Sequence, residues 1–235
     1  MATAKRAPFL PSLLAALALM LTALLAAVYY PAVNTRLFEN ALLGNVDAAV
    51  LETDADSLRA FARETMDYLT GRRKVWNPQI SLRGVSAREF ISQDFRSHMA
   101  NVRRWTRWIP TLLEAGFAFA LALLIFLGVA KRGIRPGGWY LGAGLPVGLT
   151  AAVGVWAYVD FDGMWGALHR ALIPDGIFPA GDPVMQLFPE ALFASYLPWV
   201  LGLFLLLAAL IFAMPPVWNL IHRKASQTKW IRRRK

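Results

Sequence analysis

The chain has 235 residues, 57% of them apolar, a mean hydropathy of +0.42 and a formal net charge of +10 from 25 basic and 15 acidic residues. So much apolar surface on a chain of this length argues against a wholly water-soluble protein. Cysteine is absent, which excludes disulfide staples and any acyl transfer through a cysteine thioester.

Lys5 and Arg6 precede an apolar run from Pro8 to Tyr30. The run exceeds a signal-peptide core, and Tyr29-Tyr30-Pro31 is an aromatic interface belt rather than a small-residue cleavage site, so an uncleaved first span is expected. Further stretches near 109–130, 138–158 and 195–216 are also long enough to cross, as helix, a hydrocarbon layer of about 30 Å. The expected fold class is all-α transmembrane. It is a four-helix membrane bundle with both termini cytoplasmic, a small mixed α/β extracytoplasmic domain between spans 1 and 2, and an interfacial loop between spans 3 and 4.

The boundaries follow. A cytoplasmic N-terminus and first span take 1–30, the extracytoplasmic domain 31–108, and the second span 109–130. A cytoplasmic loop at 131–137 leads to the third span, 138–158. An interfacial extracytoplasmic segment at 159–194 leads to the fourth span, 195–216, and a basic cytoplasmic tail at 217–235. Charge sets the orientation, because Lys and Arg are retained on the cytoplasmic side of short flanks. Lys5 and Arg6, then Lys131, Arg132 and Arg135, then the Arg/Lys-rich tail occupy segments with no Asp or Glu, whereas the outer segments nearly balance. The basic excess is thus a topology signal and a handle for membrane phospholipids; it does not mark a nucleic-acid partner. The location implied is the inner, or cytoplasmic, membrane.

In the first outer segment, Leu58, Phe61, Ala62, Thr65, Met66 and Leu69 recur with helical period and Gly71 follows as a stop. Residues 71–84, with Pro78 and alternating Val75, Asn77, Ile80 and Leu82, read as turn and short strand. Ser86 and Glu89 form a Ser-x-x-Glu capping box, predicting a helix start there. From it Ile91, Phe95, His98, Met99, Val102, Trp105 and Ile109 make one apolar stripe with His98 in its middle. Pro110 is expected to kink or restart that helix. Glu114, inside the second span, is either functional or, with Thr111, a second capping box after the kink. The second outer segment is aromatic and proline-rich, and reads as an element lying on the bilayer surface with Trp165 at head-group depth.

Imidazole is the side chain best suited to move protons near neutral pH. His222 falls in the basic tail, while His98 and His169 fall in outer segments near the membrane boundary, on one expected membrane face. Asp94, four residues before His98, is placed to orient or polarise that ring if the two share a helix face. Asp160, Asp162 and Asp182 are candidates to position His169, with capping and turn formation as their ordinary alternatives. No Gly-x-Ser-x-Gly elbow, His-Glu-x-x-His pair, phosphate loop or dinucleotide fingerprint occurs. Histidines without an evident nucleophile point to a reaction in which the substrate supplies its own. Two histidines without a third ligand make a poor zinc site, so neither a metal nor another cofactor is called for.

On these residues the chain resembles the lipoprotein intramolecular transacylase family. Ser86-Ala-Arg88-Glu89 leading to His98-Met-Ala-Asn101-Val102 is similar to that family's first pattern, with Asn101 in place of the usual Asp. Phe161-Asp162, Leu168-His169, Asp182-Pro183-Val184 and Leu187-Phe-Pro-Glu190 with Phe193 are similar to its second, with Leu168 in place of Phe; Asp67-Tyr68-Leu69 with Gly71 is a weaker echo. The resemblance implies transfer of the sn-2 acyl chain of a diacylated lipoprotein substrate to the α-amino group of its lipid-bearing cysteine, giving the lyso-form. His98 and His169 would be the acid/base pair, acting on the extracytoplasmic face without an acyl-enzyme. Ser86 and Arg88 are candidates to help with the oxyanion. The rival readings are a non-enzymatic assembly or permease component, and a lipid hydrolase or acyltransferase using water or a separate acceptor.

Overall fold

The computed structural model describes residues 8–129, 133–173, 178–179 and 181–232, the last twelve of these by backbone alone, and the chain so described is mostly helical. Lys5, Arg6, Lys131, Arg132, Pro174 and Arg233 to Lys235 lie outside the described residues, as does the side chain of His222. Among the described residues, four helical stretches are long and apolar enough to cross a membrane: Phe9–Ala32, Gln93–Val129, Pro136–Val159 and Glu190–Leu220. The chain divides into two units, one formed by residues 1–26, 112–152 and 202–235, the other by 27–111 and 153–201.

Close backbone approach holds the first unit together. Helix α1 (Phe9–Ala32) meets α6 (Pro136–Val159) at Gly138 and Gly142, where an added Cβ would collide with the carbonyls of Phe9 and Leu13. This is the small-xxx-small packing that lets helices gain dispersion energy where lipid offers no hydrophobic drive. Polar ends are satisfied internally. The Ser12 hydroxyl donates to the Pro8 carbonyl (2.9 Å) and accepts from the Arg135 amide (3.0 Å). Buried Trp139 donates its indole N–H to the Ile211 carbonyl (2.9 Å) on α9 (Leu197–Arg232).

The second unit has an aromatic and aliphatic core. It contains α2 (Thr35–Asn45) and α3 (Ala55–Leu69), and Leu58, Phe61, Ala62, Thr65, Met66 and Leu69 of α3 are all buried, as their spacing predicts. Asp54 caps α3, accepting from the amides of Asp56 (2.9 Å) and Ser57 (2.8 Å). Its bonds from the Ser57 amide, the Ser57 hydroxyl and the Asp56 amide hold its carboxyl below the usual range, although slight burial opposes them. A carboxyl whose value is lowered by folding stabilises the helix start at neutral pH, and that contribution is lost as acid protonates the folded form. Gly71 ends the helix in the left-handed region (φ 88°), as only glycine does at little cost.

Beyond it the inward alternation runs through Trp76, Pro78, Ile80 and Leu82, whereas Val75 is exposed, so the expected register is shifted at its start. Only Ser81–Leu82 (β1) pairs, antiparallel, with Val85–Ser86 (β2). Trp76 is what sets this register. Its ring lies against Phe61 (6.1 Å), Tyr68 (6.3 Å) and Phe95 (6.0 Å), and its N–H donates to the buried Thr65 hydroxyl (3.1 Å).

After the short helix α4 (Ala87–Phe90), helix α5 runs unbroken from Gln93 to Val129 with Pro110 inside it. The expected restart at Pro110, and with it a Thr111/Glu114 capping box, is therefore not formed. The missing amide of Pro110 removes one bond from a ladder of 37 residues, which continues on both sides.

Thr65→Val should leave the Trp76 N–H buried without an acceptor and cost about 1–3 kcal/mol. Chemical denaturation in detergent, followed by tryptophan fluorescence, reads this; an unchanged midpoint would show that water satisfies the indole.

Candidate active site

His98 reaches the site because α5 starts where it does. Ser86 precedes α4, but its side chain makes no capping bond, and α4 ends after one turn at Ile91. The cap is Ser92, whose hydroxyl oxygen accepts from the Phe95 amide (3.2 Å). The guanidinium of Arg96 then closes the break between α4 and α5, donating to the carbonyls of Ile91 (2.6 Å) and Arg88. The Ser86/Glu89 capping box is thus replaced by a cap six residues later, because the chain needs an extended residue at Ile91 before α5 can run along the core. Ile91, Phe95, His98 and Met99 are buried, Val102 is partly so, and Trp105 is exposed.

His169 is carried by α7 (Phe161–Leu172), an amphipathic helix whose start is capped by Asp160 through the Gly163 amide (2.9 Å). Trp165 stacks on Phe193 of α8 (Glu190–Ala194) at 4.8 Å and fixes α7 on one side. At its C-terminal end, the Trp105 indole N–H donates to the Leu172 carbonyl (3.3 Å). One turn before His169, the Trp165 carbonyl lies 3.0 Å from Nδ1. A carbonyl oxygen only accepts, so Nδ1 carries the proton and Nε2 of the neutral ring presents its lone pair.

The two imidazoles, 71 positions apart, come within 5.9 Å between centroids at 34°. Aromatic rings enclose them: Phe95 (5.7 Å) and Phe178 (5.5 Å) beside His98, and Trp165 (4.5 Å) beside His169. His98 is 7% exposed and His169 half-buried.

Asp94, on the turn of α5 before His98, is exposed, while His98 is buried. Ser86, Arg88 and Glu89 are exposed, and Arg88 contributes a carbonyl to the Arg96 clasp. Asp182 caps the 3₁₀ turn Pro183–Gln186 through the Val184 amide (3.0 Å), and Asp162 lies beside Glu190. His169 is oriented by a backbone carbonyl, a partner that residue types alone do not reveal; the signal that could have found it is the i−4 position of Trp165 on a helix. Among the described residues no group of three or more His, Asp or Glu side chains is placed to hold a metal ion.

Paired imidazoles in an aromatic, partly closed setting equip a membrane protein for acid/base chemistry. The model of the family described as lipoprotein intramolecular transacylase Lit matches residues 13–193. A solved structure of that transacylase from Bacillus cereus is similar at 17% identity with a TM-score of 0.65, covering 92% of this chain and 95% of the other. Two structures of variants of the same protein, with one histidine replaced by arginine or by alanine, are similar at 18% identity. Their TM-scores are 0.57 and 0.61, covering 94% and 92% of this chain and 91% and 93% of theirs. No curated protein sequence matches. The chain belongs to the lipoprotein intramolecular transacylase family, a family of acyltransferases.

Ser92→Ala should destabilise the protein by about 0.5–2 kcal/mol, the usual cost of a lost helix cap, whereas Ser86→Ala should cost no more than a few tenths. Thermal melts of both variants in the same detergent check this, and a larger loss for Ser86 would restore the first cap.

Proposed function

We propose that the chain moves the sn-2 acyl group of a diacylglyceryl-modified lipoprotein to the α-amine of its N-terminal cysteine, with His98 and His169 as the acid/base pair. The observation that carries this reading is the 5.9 Å approach of the two rings in a member of this family. The neutral amine nitrogen attacks the ester carbonyl carbon and an N–C bond forms. His169 Nε2 takes the amine proton, and its Nδ1–H bond to the Trp165 carbonyl steadies the resulting imidazolium. As the tetrahedral centre collapses, the bond from carbonyl carbon to glyceryl oxygen breaks and His98 protonates that oxygen. One proton has then passed from nitrogen to oxygen, and the short distance between the rings lets the pair return to its starting protonation.

No acyl-enzyme is required. Amine and ester belong to one molecule, and holding them in reactive geometry can lower the barrier by about 7–11 kcal/mol. The aromatic rings around the histidines restrict the approach of water, which would otherwise compete as nucleophile. We place both termini in the cytoplasm of a bacterial inner membrane, with residues 31–108 and 159–194 outside it. The support is the confinement of unbalanced Lys and Arg to the three other segments.

His98→Gln and His169→Gln should each lower turnover by about 10²–10⁴-fold while the protein stays folded. Tandem mass spectrometry of the N-terminal lipopeptide from a reporter lipoprotein gives the turnover, and a melting curve gives the folding; full activity in both variants would refute the acid/base pair. When two lipoproteins with differently isotope-labelled acyl chains are mixed, every N-acylated product should carry its own label. Crossed labels would mean an external acceptor or a covalent acyl-enzyme.

A further inference from the structure

At about 100° per residue, the side of α5 turned away from His98 brings together Ala100, Arg103, Arg104, Arg107, Trp108 and Thr111, which line an open groove of about 500 Å³. Three guanidinium groups and no carboxylate face it. One wall is rigid: Arg103 donates to the carbonyls of Lys74 (2.7 Å) and Arg73 (2.8 Å), and its guanidinium lies over the Tyr68 ring at 4.6 Å. Arg107 passes over Gly71, where even an added Cβ would stand 3.8 Å from its side chain, so the turn leaves the arginine room to extend. Arg72 and Arg73 are paired with Asp67 and Glu64, whereas Arg104 and Arg107 are exposed and form no ion pair among the described residues.

The proposed acid/base chemistry uses none of these arginines. Its ester and amine carry no phosphate, and the groove lies on the far side of the helix from the imidazoles. Arginine forks match the paired oxygens of a phosphate, and the open side admits a group that remains attached to something larger. The position along the helix supplies the rest. Trp108, 60% exposed, lines the groove, and an uncharged apolar run starts four residues further on at Leu112 and is interrupted only by Glu114. Tryptophan beside arginine at the end of a span is the composition of the head-group layer.

We infer that this groove is a binding site for the phosphate of an anionic phospholipid, held by Arg104 and Arg107 against the fixed guanidinium of Arg103. Such a lipid would anchor α5 at the depth where His98 works, independently of the reacting lipoprotein.

The test is native mass spectrometry of the full-length protein in detergent, titrated separately with phosphatidylglycerol, phosphatidylcholine and inorganic phosphate. Basic residues in the C-terminal segment also attract anionic lipid, but they are common to all variants and cancel in the comparison. Arg104→Gln/Arg107→Gln should weaken the tightest phosphatidylglycerol adduct about 30-fold, the effect of two basic residues at a membrane surface. Arg104→Lys/Arg107→Lys, keeping charge but not the fork, should weaken it less, and wild-type protein should prefer phosphatidylglycerol to phosphatidylcholine. Equal phosphatidylglycerol binding by wild type and the Gln pair would overturn the site. So would equal retention of both lipids, or displacement of the lipid by millimolar inorganic phosphate, which would mark a site for a free anion.

Discussion

Phe95 is the side chain on which the meeting of the two histidines rests. Its ring lies 6.0 Å from Trp76, 5.0 Å from Phe178, 5.0 Å from Phe188 and 5.7 Å from His98. Trp76 belongs to the core built on α3, and Phe178 and Phe188 belong to the segment that carries His169 onward. One buried aromatic therefore joins two regions far apart in sequence and sets His98 one turn above the junction. Aromatic contacts of this kind contribute both buried area and preferred geometry, so the joint is defined in angle as well as distance. A polar joint in the same place would have needed every donor and acceptor satisfied.

The chemistry inherits its requirements from that joint. An intramolecular transfer between groups already on one substrate asks little covalent work of the protein, and the absence of cysteine is consistent with that economy. The acid/base pair we propose needs two proton-handling groups at a fixed separation and a defined tautomer in at least one of them. The first is met by α5 and α7 converging through aromatic contacts. The second is met by a backbone carbonyl, which keeps its acceptor character at every pH, whereas a carboxylate would change state within the acid range.

Sequence patterns revealed what depends on period and composition. The apolar runs follow from composition and length, and the α3 stripe and the stripe from Ile91 through Met99 are local patterns whose burial follows from spacing. Patterns failed where two local signals competed. Ser86 with Glu89 has the letters of a capping box, yet Ser92 provides the cap, because tertiary packing of Ile91 and the Arg96 clasp outweighs a bond worth about 1 kcal/mol. Val75 was in phase with the wrong face because Trp76, far larger, takes the inward position. The Trp165 carbonyl could not appear in any reading of side-chain types, since every residue has a carbonyl and only geometry selects one.

With three histidines in the chain, ¹⁵N- and ¹³C-histidine-labelled protein in bilayers gives a resolvable solid-state NMR spectrum. Recorded at a pH well above the ordinary imidazole range, it tests the arrangement directly. The account predicts that His169 is protonated at Nδ1 and bare at Nε2, and that magnetisation passes between its ring and that of His98. A proton found on Nε2 of His169, or two rings with no transfer between them, would contradict it.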